Sequence, residues 1–276
     1  MTQCMQAIRA AAARHRSQLC IGLDPQHIPA AFGDDTDSVY RFCMAIVEAT
    51  ADLACAFKPN IAFFEARGPD GIAALRRLVA DMPRSVPVII DAKRGDIGST
   101  AAAYAQAIFD QLGADAVTLN PYLGGDALAP FLAYAEKGCF ILCKTSNPGS
   151  GDLQDLPLAS GEPLYLAVAR KAQHEWNANG NVGLVVGATY PAVLAQVRAH
   201  CPDLPLLVPG VGTQGGDLEA AVRAACDSAG GGLLVNVSRG VMYASAGPDI
   251  AQAARAEALR LRHAINEALA HRSEPV

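Results

Sequence analysis

Short apolar runs recur along the chain, and each one ends in a cluster of small or polar residues. The runs are continuously apolar rather than alternating, which is typical of strands buried on both faces of a parallel sheet. Successive runs start roughly 30 residues apart, the length that a strand, a helix and two loops need. They occupy residues 18–24, 54–60, 87–93, 116–122, 138–146, 181–189, 205–212 and 231–239.

Stretches rich in alanine and leucine separate these runs, and their apolar residues have helical spacing. The clearest stretches lie at 39–53, 71–81, 99–112, 164–177 and 218–225. Eight strand–helix units in one chain predict the α/β class and a closed barrel of eight parallel strands, the (β/α)8 or TIM barrel. An open doubly wound sheet is the alternative, although that fold usually has fewer strands.

We expect residues 1–276 to form a single barrel domain, because no linker rich in Pro, Gly or Ser divides the chain. Residues 1–17 are predicted to be an N-terminal helix that covers one end of the fold. The alternative is a transit peptide, although the segment lacks the serine-rich character of one. Residues 264–276 are predicted to be the end of a C-terminal helix and its tail. The Gly- and Pro-rich stretch at 147–163 is interpreted as a long loop after the fifth strand.

The composition narrows the class of protein. Hydrophobic residues make up 51% and charged residues only 18%, which favours a well-buried core over disorder. The net charge of -5 lacks the basic footprint that nucleic-acid binding leaves, and no apolar run approaches the ~18 residues that span a bilayer. We therefore expect neither nucleic acid nor a membrane as a partner. The eight scattered cysteines, without a Cys-x-x-Cys pair, predict reduced thiols and a cytoplasmic location.

The most informative polar cluster ends the second and third strands. Asp91 and Lys93 lie two residues apart and so face the same side of a strand, and Asp96 follows in the loop. Lys58 and Asn60 end the preceding strand. Such charges are costly to bury unless they are paired and have a use, and chemistry in a barrel lies at the C-terminal ends of the strands. These residues are therefore candidates for an active site, with a purely structural ion-pair network as the alternative.

Further polar strand ends fall on the same predicted rim. Asp24 ends the first strand and Ser146 follows the fifth, although either residue could simply shape a turn. A glycine-rich run at 210–216 follows the seventh strand, and Arg239 ends the eighth. Glycine N–H groups and an arginine fork are suited to phosphate oxygens, although Arg239 could instead pair with a surface carboxylate. The six histidines show no metal-ligand spacing, so no metal site is predicted.

Taken together, these motifs resemble the orotidine 5'-phosphate decarboxylase family, in the divergent bacterial branch often called type 2. The resemblance extends from about Leu19 to Tyr243. The motif that carries it is Asp91-Ala92-Lys93-Arg94-Gly95-Asp96-Ile97-Gly98-Ser99-Thr100. The supporting motifs are Phe57-Lys58-Pro59-Asn60, Lys144-Thr145-Ser146-Asn147-Pro148, Val208-Pro209-Gly210-Val211-Gly212-Thr213-Gln214 and Val237-Ser238-Arg239-Gly240.

The resemblance implies a homodimer of barrels with active sites shared between the subunits. The catalytic set that it implies is Lys58, Asp91, Lys93 and Asp96. Asp96, with Thr100, is expected to reach from one subunit into the partner's site, while the other three residues belong to a single subunit.

The resemblance also implies how a substrate is held. The pyrimidine is expected to meet Ser146, the ribose to meet Asp24, and the phosphate to meet Gln214 and Arg239. The longer loop after the fifth strand and the Ser-Arg-Gly sequence at the eighth strand depart from the family pattern. The full expected substrate-binding set is Asp24, Asn60, Thr100, Ser146, Gly212, Gln214 and Arg239.

The implied reaction is the decarboxylation of orotidine 5'-phosphate to UMP in pyrimidine biosynthesis, with neither cofactor nor metal. Loss of CO2 leaves an electron pair at C6 of the pyrimidine, which the π system of the ring does not delocalise. The ammonium of Lys93 is expected to stabilise that charge and then to protonate C6. Flanking carboxylates favour the charged form of this lysine.

Three alternatives to this reaction stay open. A sugar-phosphate decarboxylase or aldolase of the same superfamily resembles the chain at the Asp-x-Lys-x-x-Asp motif but uses Mg2+. A Schiff-base enzyme would use Lys93 as a neutral nucleophile, which the flanking carboxylates oppose. A catalytically silent barrel would bind the nucleotide without turning it over.

Overall fold

The computed structural model describes residues 2–211 and 217–271. Eight strands lie in this part of the chain, where the apolar runs predict them, and their pairing is parallel. The strands are β1 (Leu19–Leu23), β2 (Ala56–Pro59), β3 (Ile89–Arg94), β4 (Ala116–Leu119), β5 (Gly138–Lys144), β6 (Val182–Val186), β7 (Leu206–Pro209) and β8 (Leu233–Val237).

The strands are arranged in one sheet that closes on itself. Their order is β2-β1-β8-β7-β6-β5-β4-β3. The two end strands meet through isolated parallel bridges, Phe57 with Val88 and Asn60 with Asp91. An open doubly wound sheet would instead reverse its strand order at a switch point. The architecture is therefore the (β/α)8 barrel, and that prediction is confirmed.

Helices connect the strands and surround the barrel. Within the described ranges, no helix is long and apolar enough to cross a bilayer. The helices are α1 (Gln3–His15), α2 (Ser38–Thr50), α3 (Ala62–Glu65), α4 (Gly68–Asp81), α5 (Gly98–Gln106, continued by a π-helical turn at Ala107–Gln111), α6 (Gly125–Leu132), α7 (Gly151–Gln154), α8 (Leu164–His174), α9 (Pro191–His200), α10 (Leu218–Ala225), α11 (Arg239–Met242) and α12 (Ile250–Ala270).

The predicted helices differ from the observed ones mainly at their ends. Helix α10 has the predicted bounds, whereas α2 ends at Thr50, because the Leu53 N–H donates to the Thr50 carbonyl in a tight turn. The four-residue helices α3, α7 and α11 are absent from the predicted set, and α7 lies in the stretch at 147–163 that was interpreted as a loop. Helices α6 and α9 are absent from it as well. Helix α6 is short and contains Pro130, and α9 begins with Pro191, so neither has a long uninterrupted amphipathic pattern.

Two apolar layers hold the barrel together. The larger layer lies between the strands and the surrounding helices. The smaller layer fills the interior of the barrel, where Phe140 packs with Leu207. Cys4, Met5 and Ile8 of α1 join this inner layer, and the Cys4 N–H donates to the Glu136 carbonyl just before β5. Helix α1 therefore closes the N-terminal end of the barrel.

Candidate active site

A cavity of about 510 Å³ opens at the C-terminal ends of the barrel strands. Leu142, Val185 and Leu207 supply apolar side chains to its lining, and polar residues from the strand ends supply most of the rest. A cavity of this size is in the range of small-molecule sites. Of the residues predicted for the active site, Asp24, Lys58, Asn60, Asp91, Lys93, Ser146 and Arg239 line it.

A buried carboxylate lies between two ammonium groups in the wall of this cavity. Asp91 Oδ2 accepts a hydrogen bond from Lys58 Nζ at 2.7 Å, and Asp91 Oδ1 accepts one from Lys93 Nζ at 2.6 Å. The Lys58 and Asp91 side chains are only 4% and 10% exposed, whereas the Lys93 side chain is 48% exposed. Lys58 is therefore a buried counterion, and Lys93 is the ammonium that a ligand in the cavity can reach.

Burial and neighbouring charges shift the pKa values of Asp91 and Lys58 in opposite directions. Burial raises the pKa of the Asp91 carboxyl, but the ammonium groups of Lys58 and Lys93 outweigh it and hold that pKa well below its usual range. Burial lowers the pKa of Lys58, but the carboxylates of Asp91 and Asp24 outweigh it and raise that pKa above its usual value. The carboxylate and the Lys58 ammonium are therefore both charged at neutral pH.

The backbone of β3 is irregular where it carries Lys93. The pairing of β3 with β4 shifts in register after Ile90. Lys93 itself has a φ of 46°, in the left-handed region that residues other than glycine rarely adopt. Strained backbone of this kind persists only where surrounding contacts hold it, and it is common at functional sites. Lys93 is therefore held by its surroundings in an unusual backbone conformation.

The loop after β5 is anchored at its base by two polar contacts. Lys144 Nζ, which is buried, donates to Asp155 Oδ1 at 2.7 Å. The backbone N–H of Thr145 donates to Gln154 Oε1 at 2.8 Å. These contacts fix the start of the loop, so that Ser146 lies in the cavity wall.

Several polar groups of the lining are suited to a polar ligand. Asp24 Oδ1 and Asn236 Oδ1 are buried and have no hydrogen-bond partner in the part of the chain that is described. Buried oxygen atoms are rarely left in this state, so both are available to donors from a ligand. Arg239 begins α11 at the end of β8 and is exposed, which places a guanidinium fork in the cavity lining.

Four predicted residues are not found in this lining. Asp96 and Thr100 are described, but neither is among the residues that line the cavity of their own chain. Asp96 Oδ1 accepts from the backbone N–H of Ile97, and Thr100 is exposed on α5. Gly212 and Gln214 lie outside the described residues.

Other polar residues in the lining were not predicted as site residues. Thr118 and Asn236 could have been recognised from the sequence, because each is the one polar residue of its strand, β4 or β8. Gln154 could not have been recognised from the sequence, because only the folding of its loop brings it back to the cavity. The additional residues are Thr118, Thr145, Asn147, Gln154, Asn236 and Ser238.

Comparison with known proteins assigns the chain to a family. The model of the Orotidine 5'-phosphate decarboxylase / HUMPS family matches residues 17–256. The chain belongs to this family. An orotidine 5'-phosphate decarboxylase from Roseiflexus castenholzii is 61% identical over 266 residues, covering 96% of this chain and 97% of that protein. One from Azoarcus sp. (strain BH72) is 54% identical over 265 residues, covering 95% and 98%.

Solved structures of the orotidine 5'-phosphate decarboxylase family agree with the fold. The OMP decarboxylase of Leishmania donovani has a TM-score of 0.87 at 44% identity, covering 97% of this chain and 99% of that chain. The UMP synthase of the same organism has a TM-score of 0.88 at 45% identity, but this chain covers only 56% of it. The family resemblance predicted from the sequence is confirmed, whereas the type 2 branch stays a prediction.

Proposed function

We propose that this member of the orotidine 5'-phosphate decarboxylase family converts orotidine 5'-phosphate to UMP and CO2 without a metal or an organic cofactor. The observation that carries the proposal is the buried Asp91 carboxylate between Lys58 and Lys93, in the wall of a cavity sized for a small molecule. The names of relatives that are 54% and 61% identical support it. The reaction belongs to pyrimidine biosynthesis.

Lys93 performs the chemical step in this proposal. When the bond between C6 and the carboxylate carbon breaks, CO2 leaves and the electron pair stays on C6. That pair lies in the plane of the ring, so the π system cannot delocalise it. The Lys93 ammonium stabilises the developing charge and then gives its proton to C6, which yields UMP. Lys93 regains a proton from water before the next turnover.

Asp91 fixes the position of the Lys93 ammonium by accepting a hydrogen bond from its Nζ atom at 2.6 Å. A neutral amine could neither stabilise a carbanion nor donate this proton. The same contact argues against a Schiff-base mechanism, which needs Lys93 as a neutral nucleophile. Asp91 also lies where it would repel a substrate carboxylate, but we assign the larger share of catalysis to the fixed positive charge.

The phosphate takes no part in the bond changes, but its binding energy can align the substrate and close the loops around it. We assign the phosphate to Arg239 and to the loop after β7. The buried Asp24 oxygen without a described partner is suited to a ribose hydroxyl, and Ser146 to the pyrimidine. The substrate-binding residues that we propose within one chain are Asp24, Asn60, Ser146, Gly212, Gln214 and Arg239.

We further propose a homodimer in which Asp96 and Thr100 complete the partner's site. Neither residue lines the cavity of its own chain, although Asp96 lies two residues after the strand that carries Lys93 and Thr100 lies in the helix that follows it. Ile97 and Tyr122 are 60% and 76% exposed, and large apolar side chains exposed in this way are suited to burial against a second copy.

A cytoplasmic location is part of the same proposal. Seven of the eight cysteines are buried. Burial raises the pKa of both Cys4 and Cys20 to about 12, so these thiols stay protonated and unreactive at neutral pH. Buried, unreactive thiols of this kind suit a reducing compartment.

The rival function is that of a Mg2+-dependent sugar-phosphate decarboxylase or aldolase, which shares the Asp-x-Lys-x-x-Asp motif. Among the described residues, no group of three or more His, Cys, Asp or Glu side chains is arranged to hold a metal ion. The test is the ultraviolet absorbance of orotidine 5'-phosphate mixed with the protein, with and without EDTA. We expect an equal shift toward the UMP spectrum in both samples. No shift, from protein that is folded, would overturn the proposal, and a shift abolished by EDTA would favour a metal enzyme.

A further inference from the structure

Thr118 occupies a special position on β4, opposite the irregular segment of β3. Ile90 of β3 pairs regularly with Val117, and pairing resumes only where Arg94 meets Leu119. Asp91, Ala92 and Lys93 therefore all lie opposite Thr118 alone. Two additional residues in one strand disrupt the regular ladder and leave backbone groups that need other partners.

The Thr118 hydroxyl supplies those partners. Its Oγ1 accepts a hydrogen bond from the Ala92 N–H at 3.0 Å and from the Lys93 N–H at 2.9 Å. It donates its own hydrogen to Asp91 Oδ1 at 3.0 Å. A hydroxyl has one donor and two acceptor sites, so these three bonds use all of its capacity. The side chain is 1% exposed, so water does not compete for them.

These three bonds hold both ends of the Lys93–Asp91 contact. The N–H bonds hold the backbone of the bulge, including the left-handed conformation of Lys93. The hydroxyl proton is directed at Asp91 Oδ1, the same oxygen that accepts from Lys93 Nζ. One buried side chain thus fixes the backbone from which the lysine starts and the carboxylate at which its ammonium ends.

We propose that Thr118 is a positioning residue of the catalytic step, which sets the place of the Lys93 ammonium by holding the β3 bulge and Asp91 together. The inference rests on the proposed decarboxylation of orotidine 5'-phosphate. Thr118 does not act on the substrate in this account. It acts through Lys93, so its loss lowers the rate of the chemical step and leaves ground-state binding of the phosphate and ribose largely intact.

The alternative role for Thr118 is structural only, as a residue that completes hydrogen bonds in a buried strand. Two substitutions separate the roles. Thr118→Val keeps the shape of the side chain but removes the hydroxyl. Thr118→Ser keeps the hydroxyl but removes the methyl group, and therefore costs packing. If the role is only structural, the loss of activity in each variant should follow its loss of stability. If Thr118 is a positioning residue, activity should depend on whether the hydroxyl is present.

The experiment measures kcat with orotidine 5'-phosphate, the affinity for UMP and thermal stability, for wild type and both variants. For Thr118→Val we expect kcat to fall roughly 100-fold, the scale of a misplacement of about 1 Å, with UMP affinity within about threefold of wild type. Thr118→Ser is expected to recover most of the turnover even where it melts at a lower temperature than wild type. Folded Thr118→Val protein with wild-type kcat would overturn the inference, as would equal losses of kcat in the two variants.

Amide hydrogen exchange provides a readout that does not depend on activity. The Ala92 and Lys93 amides should be protected in wild type and in Thr118→Ser, and should exchange much faster in Thr118→Val. Unchanged protection in Thr118→Val would refute the structural step of the inference. Wild type that protects these amides but does not decarboxylate orotidine 5'-phosphate would instead refute the proposed function.

Discussion

Removing the charge of Asp91 should destabilise the protein as well as inactivate it. Asp91→Asn keeps the shape of the side chain but takes away the carboxylate that faces two ammonium groups. Lys93 is half exposed and can be hydrated after the change. Lys58 is almost fully buried and cannot be hydrated in the same way. Most of the loss in the free energy of unfolding therefore arises from its Nζ atom.

The size of the stability loss in Asp91→Asn follows from the burial of Lys58. Breaking a buried ion pair by removal of one partner costs about 3–5 kcal/mol of the free energy of unfolding. The amide oxygen of the substituted side chain can still accept one hydrogen bond from Lys58, and the Asp24 carboxylate still acts on Lys58. We therefore expect Asp91→Asn to lower the free energy of unfolding by about 3 kcal/mol, the lower end of that range.

The stability difference between wild type and Asp91→Asn should also depend on pH. In wild type, the depressed pKa of Asp91 and the raised pKa of Lys58 keep the ion pair intact between about pH 4 and pH 10. Its contribution is lost only as pH falls through the lowered carboxyl pKa or rises through the raised lysine pKa. In Asp91→Asn, burial dominates and favours neutral Lys58. The stability deficit of the variant should therefore shrink as pH rises from 7 toward 10, because the unfolded state then binds more protons than the folded one.

The assay is urea unfolding followed by circular dichroism, at one protein concentration for all variants. Asp52→Asn is the matched control, because it removes the carboxylate of an exposed ion pair with Arg255, where the loss should stay below about 1 kcal/mol. The double variant Lys58→Met/Asp91→Asn removes both buried charges and should recover much of the lost stability. An Asp91→Asn loss no larger than that of Asp52→Asn, or a double variant less stable than Asp91→Asn, would refute the role of Asp91 as the counterion of buried Lys58.

Three further predictions concern the ligand, the dimer and the loop after β5. Arg239→Ala should raise KM for orotidine 5'-phosphate without changing the rate on orotidine that lacks the phosphate; equal losses on both would contradict the phosphate assignment. Inactive Lys93→Ala and Asp96→Ala chains should regain activity when mixed, because each hybrid dimer has one site with both residues; no recovery despite proven subunit exchange would exclude a shared site. Asp155→Asn should lower the melting temperature more than Lys144→Met, because it leaves a buried ammonium unpaired, whereas the half-exposed Asp155 can be hydrated. The opposite order would contradict the anchoring role of this pair.

The sequence was sufficient to predict the barrel and to pick out charged residues that line the cavity at its C-terminal end. Continuous apolar runs at regular spacing predict buried parallel strands, and every strand found in the described residues lies within or overlaps a predicted run. Lys58, Asp91 and Lys93 were recognisable because charges at strand ends are costly without a function. Their mutual contact follows from the strand order of the barrel, since β2 and β3 are neighbours.

The contacts that support the site could not be predicted from the sequence. In the sequence, Thr118 is only one polar residue in an apolar strand. Its three hydrogen bonds depend on the bulge in the neighbouring strand β3. Gln154 and Asp155 lie in a loop whose fold decides that they return to Thr145 and Lys144. No local pattern encodes such pairings, because they depend on the tertiary arrangement.

The proposed reaction depends on the transfer of a proton between Lys93 and C6 of the pyrimidine. A group that protonates C6 also removes that proton in the reverse direction, so the enzyme should exchange the C6 hydrogen of UMP for deuterium in D2O. Proton NMR of UMP follows this exchange directly, with Lys171→Ala, on the exposed face of α8, as the control. We predict exchange by wild type and by Lys171→Ala, and none by folded Lys93→Ala that still binds UMP. Exchange by Lys93→Ala at the wild-type rate would show that Lys93 is not the group that transfers this proton.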